Sequence, residues 1–182
     1  MPIYGPMTVR YRFNAAKALQ AIEYVVADAR EVDLHTVLKS FYFGDKSHLN
    51  AFQQPIFGAT YKAMKYGPVP LEVYEMVKSE NLWLSELGLS AMPWRLQGFK
   101  LERTQNSDPS LDMLGDSERE HFLKAYEKSR YMNFTERTAA THGPDWQAAN
   151  LGTMRYEDMI DPGPDRLDVI SFMQETARHT RL

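Results

Sequence analysis

The sequence contains no cysteine. Disulfide frameworks, thiolate nucleophiles and cysteine-based zinc sites are therefore excluded. No apolar run approaches the ~20 residues that a membrane-spanning helix needs. The start, Met1-Pro2-Ile3-Tyr4-Gly5-Pro6, has neither the basic region nor the apolar core of a secretory signal. An excess of one charge is also missing: 21 Lys and Arg face 24 Asp and Glu, for a net charge of −3. That balance disfavours nucleic acid and anionic membranes as partners. The glycine-rich nucleotide loops, the His-Glu-x-x-His and EF-hand patterns, and Gly-x-Ser-x-Gly are all absent. The expectation is a soluble, cytoplasmic protein without a cofactor or a bound metal.

What remains is ordinary globular material: 182 residues, 43% hydrophobic and 25% charged, enough for one real core. No linker divides the chain, so residues 1–182 are read as a single domain. The class is mainly α, an α+β variant, with about six or seven helices around a small β element.

The stretch from Pro55 to Tyr74 organises the chain. Gly67-Pro68 is a turn signal. Pro70 suits the first turn of a helix, and Leu71, Tyr74 and Val77 follow at helical spacing to about Glu80. Residues 56–66 are rich in β-branched and aromatic types and read as extended, with a helix as the alternative because Ala63 and Met64 are good helix formers. Before this stretch, Thr8 to Phe13 reads as a short extended arm. Asn14 caps a helix to about Arg30, with Leu19, Ile22, Val25, Val26 and Ala29 inside and Lys17 outside. Asp33 caps a second helix whose stripe is Leu34, Val37, Leu38, Phe41 and Tyr42. Asp45 and His48 extend that stripe, where a partly buried pair needs partners, for instance each other.

After it, Asn81 to Pro93 reads as a short helix or loop on the core surface. Trp94 to Gln105 reads as extended with a bulge or tight turn at Gly98, positioned to pair with the segment before Gly67. Asn106 to Ser110 is a loop. Ser117 and Glu120 fit a capping box, followed by a helix with Phe122, Leu123, Tyr126 and Arg130 on its inner edge. Asn133 or Thr135 caps the next helix, which carries Ala139, His142, Trp146 and Ala149. Pro144 kinks or restarts it. The last helix spans about Asp165 to Arg178.

Two chemical readings compete at the polar positions. Asp45, His48 and His142 form a two-histidine, one-carboxylate set, fit for a metal-dependent or small-ligand enzyme if the helices converge. Otherwise each is a hydrogen-bonded structural group. Trp146, one helical repeat after His142, reads as packed against it in the core.

Three segments resemble the Panacea domain family of SocA-like antitoxins and phage-associated GepA-like proteins. They are Leu38-Lys-Ser-Phe-Tyr-Phe-Gly-Asp45-Lys-Ser-His48, then Pro55-Ile-Phe-Gly58 with Ala63-Met-Lys-Tyr-Gly67-Pro68-Val-Pro70, and Thr141-His142-Gly-Pro-Asp-Trp146. Gly44 stands where the family usually has alanine. The resemblance runs from about Asp33 to Ala149. It implies an antitoxin-type protein-binding domain without turnover, whose partner is a cognate toxin and which acts in one relative as an adaptor to a ClpXP-type protease. It supplies no catalytic residues. Asn81 to Pro93 has no counterpart in the family motifs, so Leu82, Trp83, Leu84 and Leu87 are the candidate partner-binding residues.

Overall fold

A computed structural model describes residues 8–106 and 108–182. The first helix, α1 (Ala15–Ala29), begins where the Asn14 side chain accepts from the Lys17 amide. The second, α2 (Leu34–Phe52), begins where Asp33 accepts from the Thr36 amide and hydroxyl. These side chains satisfy amides that have no intrahelical acceptor. Helix α2 is the axis of the molecule. It is buried on nearly every side and packs most extensively on α5 (Asp116–Tyr131). A helix buried all round must place polar residues inside, and this one buries Lys39, Ser40, Asp45 and His48.

Two small antiparallel units complete the frame. Strands β2 (Tyr61–Met64) and β3 (Gly67–Pro70) form a hairpin, with Tyr61 opposite Pro70 and Met64 opposite Gly67. The turn is therefore Lys65-Tyr66, and Gly67-Pro68 belongs to the returning strand rather than to the turn expected there. The sharp backbone feature is still at Gly67, whose φ is +104°. Strands β1 (Glu31–Asp33), β4 (Trp94–Gln97) and β5 (Lys100–Arg103) form the second sheet, in the order β1-β5-β4. The expected turn at Gly98 joins β4 to β5. The expected pairing with the segment before Gly67 is wrong: β5 pairs with β1, and β2 already has β3 on one edge and Thr153 on the other.

The short helices fill the ends. Pro70 is the N-cap of α3 (Leu71–Val77), and α4 (Asn81–Leu87) follows. The start of α5 lies two residues earlier than the capping-box spacing suggests. Its first turn is closed by Glu118, whose carboxylate accepts from the Gly115 amide. The other Glu118 oxygen receives Lys17, which is buried and not on the outer face, in a 2.6 Å ion pair. On the inner edge of α5 Ser129 replaces Arg130. Arg130 is exposed and pairs with Asp28 at 2.9 Å. Asn133 caps α6 (Phe134–Thr141), and Pro144 restarts the chain as α7 (Pro144–Ala149). Helix α8 (Arg166–Thr176) closes the fold, burying Met173 and leaving Leu167 and Phe172 exposed. Residues 8–13 enter as an arm without strand pairing. Of the described residues, none lies in a helix long and apolar enough to cross a membrane.

Gly44 and Gly67 differ in what a methyl group would meet. At Gly44 an added Cβ sits 3.5 Å from Ile56 and 3.6 Å from Ala125, ordinary contact in a helix. At Gly67 it would overlap the Thr141 hydroxyl and lie 3.0 Å from the Lys39 side chain, at a positive φ. Gly44→Ala should leave stability unchanged or raise it by ~0.5–1 kcal/mol, through helix propensity and unfolded-state entropy. Gly67→Ala should lower it by roughly 2–4 kcal/mol. Urea denaturation of the two variants checks both signs.

Candidate functional site

The three recognisable segments meet one another. Asp45 in α2 is completely buried. Its Oδ1 accepts from the backbone amides of Ile56 and Phe57, each at 2.8 Å, and its Oδ2 accepts from the Tyr61 hydroxyl at 2.7 Å. One carboxylate thus fixes the chain reversal after α2 and the first residue of β2. Burial pushes its pKa up to about 6, against the pull of the three donors. The Tyr61 hydroxyl, equally buried beside a carboxylate, is pushed well above the usual phenol range.

Asp145, at the start of α7, makes the second junction. It is buried and accepts from the Tyr42 hydroxyl of α2. Lys46, one turn further along α2, pairs with it at 3.2 Å. The next residue, Trp146, donates its indole N–H to the Met64 carbonyl at the end of β2, at 2.9 Å. His142 stacks on that indole, with ring centroids 3.8 Å apart and planes 10° apart, and its buried Nε2 has no hydrogen-bond partner.

Lys39 makes the third junction. Its ammonium donates to the Pro68 carbonyl of β3 at 2.7 Å, directly beneath Gly67. Burial, with a smaller push from the nearby Arg137 guanidinium, lowers its pKa to about 7. Arg137 of α6 is itself buried and fully employed. It donates to His35 Nδ1 at 3.0 Å, to the Ser129 and Met132 carbonyls, and to Asp33 at 3.1 Å. Because His35 Nδ1 accepts, its Nε2–H donates to the Tyr66 carbonyl at 3.1 Å. The ring is thus held neutral, with burial lowering its pKa to about 4.

Asp45, His48 and His142 do not assemble. His48 binds the Gln54 carbonyl at 2.7 Å and the Ser117 hydroxyl at 3.1 Å, at the far end of α2 from the hairpin turn. It does not pair with Asp45. Burial lowers its pKa. His142 lies against Trp146, and Asp45 faces Tyr61. The three share no partner, and no three potential ligating side chains among the described residues stand close enough to hold a metal. Pro68 and Pro70 both sit in β3, where Pro68 presents its carbonyl to Lys39 and Pro70 leads into α3.

The α4 segment is mixed. Trp83 is buried and donates its indole N–H to Glu75, while Leu84 and Leu87 pack on the core. Leu82 is 64% exposed. Reading along the chain missed Lys39, Arg137 and Asp145, and it placed Tyr42 on the inner stripe without a partner for its hydroxyl. The available signal was their position within or beside the matched motifs, because a helix buried on all sides gives no amphipathic warning of an inward lysine.

A family model described as antitoxin SocA-like, Panacea domain, matches residues 37–147. That span contains all three junctions. No curated protein and no solved structure matches the chain.

The raised pKa of Asp45 gives a signed prediction. The folded value, about 6, exceeds the ordinary aspartate value of 3.8. The folded chain therefore keeps a proton that the unfolded chain releases. Stability from this group is complete below the unfolded value and is lost as pH rises through about 6. Asp45→Asn should gain thermal stability relative to the parent across that window; a relative loss there would mean that the three donors outweigh burial. A second prediction concerns the stack: His142→Ala should cost about 0.5–1.5 kcal/mol. A double-mutant cycle with Trp146→Phe should show coupling between the two.

Proposed function

Because the chain belongs to the antitoxin SocA-like, Panacea domain family, we propose that it binds a cognate toxin and neutralises it by direct contact. The match over residues 37–147 carries this reading. The three motifs join α2, the β2–β3 hairpin and α7 to one another, with Asp45, Asp145 and the Trp146 indole engaged in those joints. This leaves partner recognition to surfaces outside them. Delivery of the bound toxin to a ClpXP-type protease is the route we propose for removal of the complex. The chain turns over no substrate in this scheme.

The contact we propose on α4 is centred on Leu82. Trp83, Leu84 and Leu87 seat the helix and so hold Leu82 outward. An exposed apolar side chain on a rigid, well-anchored helix loses little freedom when it is covered. The test is co-expression with the product of the adjacent gene, read by growth and by pull-down with purified proteins. Rescue of growth with co-purification of the two chains is the expected result. A neighbour that is harmless alone, or that is toxic and neither bound nor rescued, overturns the reading. Leu82→Asp should weaken the complex by about tenfold or more without lowering the unfolding temperature. Unchanged binding by that variant removes the α4 surface and leaves neutralisation standing.

A further inference from the structure

A cavity of about 860 Å³ opens between the tips of the two hairpins, beneath the Lys65-Tyr66 turn and beside Phe99. Its floor is the first half of α2, and α6 supplies its far wall. Three aromatic side chains surround the mouth: Phe99 is 81% exposed, Tyr66 49% and Phe134 46%. Leu34, Leu38, Met64 and Val69 make the interior mainly apolar. A concave apolar site of this size with a few polar groups is what small ligands occupy.

We propose that this cavity binds a small monocarboxylate with an aromatic or branched aliphatic body, its carboxylate on the Lys39 ammonium. The polar groups in the lining decide the charge. Asp33, the one carboxylate, is held by Arg137 and by Thr36. His35 has both ring nitrogens engaged, and Arg137 spends its donors on His35, Asp33 and two carbonyls. Lys39 differs. It is 1% exposed, it has no acidic partner among the described residues, and the Pro68 carbonyl is its single hydrogen-bond acceptor there. An ammonium carries three N–H donors, so this buried lysine of the cavity lining has donors that no described residue fills. Lys65, whose ammonium lies over the Tyr66 ring at 5.1 Å, adds positive charge at the mouth. An anion with an apolar body satisfies the cation and fills the chamber together, and a neutral ligand of the same shape satisfies only the chamber. The site is separate from the α4 surface, so its test does not depend on toxin binding.

Protonation of Lys39 makes the preference depend on pH. Arg137 is its nearest charge, and Asp33 and Lys65 share the cavity lining with it. Tyr66 and Tyr74 border the cavity, and His35 is held neutral. Lys39 is the group whose proton affinity burial has moved to about 7. Carboxylate binding needs its charged form and weakens as pH rises through that value.

The experiment compares 3-phenylpropionate and 4-methylvalerate with their amides by calorimetry on the intact chain. Methyl spectra of the methionines follow in parallel. Acids should bind about tenfold more tightly than amides at about pH 6, and that preference should shrink roughly tenfold by about pH 8. The Met64 methyl resonance should move on binding. Lys39→Met should keep amide binding and lose the preference for the acid. Failure of both acids to bind, equal affinity for acid and amide, or shifts confined to other methionines overturns the proposal. The acid–amide comparison on the parent chain decides the matter even where Lys39→Met does not fold.

Discussion

The carboxylate of Asp45 lies at zero exposure and accepts from two successive backbone amides and a tyrosine hydroxyl. Removing those acceptors would leave three donors stranded in an apolar interior, each costing about 1–3 kcal/mol. The chain after α2 therefore has one economical path, back across the helix at Ile56 and Phe57 and into β2 at Tyr61. Everything that follows inherits that path. The hairpin is laid on α2, the carbonyl of Pro68 comes over Lys39, and Met64 arrives where the Trp146 indole can donate to it. Phe41, Phe57 and Phe122 pack together below the carboxylate. The electrostatic joint and the hydrophobic core are thus built on the same residues.

Buried charge is handled in contrasting ways across the core. Asp45 has a full set of donors, and Asp145 has a hydroxyl, a backbone amide and an ammonium. Lys17 has a carboxylate at 2.6 Å. Breaking any of these would leave an uncompensated group, which is far more costly than the net value of the pair. Lys39 has one carbonyl and a neighbouring guanidinium. Its position under Gly67 is enforced by the close approach of β3, where any side chain would collide with Thr141 and with Lys39 itself. The conformational demand at Gly67 and the unsatisfied cation beneath it arise from the same contact.

Much of the helical frame was legible in the sequence because its signals are local. Asn14, Asp33 and Asn133 cap the helices they precede, Pro144 restarts one, and the stripe from Leu34 to Tyr42 marks α2. The β partners were not legible. Strand β1 is three residues long, and its pairing with β5 spans a separation that no local pattern encodes. The hairpin turn was misplaced by two residues because Gly67-Pro68 carries turn chemistry, while Lys65-Tyr66 carries none. Lys17 was placed outside because helical periodicity assigns faces by polarity, and it cannot foresee Glu118 arriving from a helix about a hundred residues away. At the candidate site the motifs were visible, but which polar residue met which backbone group was not. Asp45, His48 and His142 shared a plausible ligand chemistry, but each is held by different partners: Ile56, Phe57 and Tyr61; Gln54 and Ser117; and Trp146.

Membership in the SocA-like, Panacea domain family rests on segments that, in this chain, hold one another in place. The central structural claim is that Asp45 locks the start of the hairpin segment. Amide hydrogen exchange at Ile56 and Phe57 tests it most directly. In the parent chain these two amides should exchange only through global unfolding, with the protection of the α2 core, and Asp45→Ala should move them to local opening while α1 keeps its protection relative to the new global stability. Fast exchange at Ile56 and Phe57 in the parent chain, or protection unaltered relative to the core in Asp45→Ala, would contradict the account.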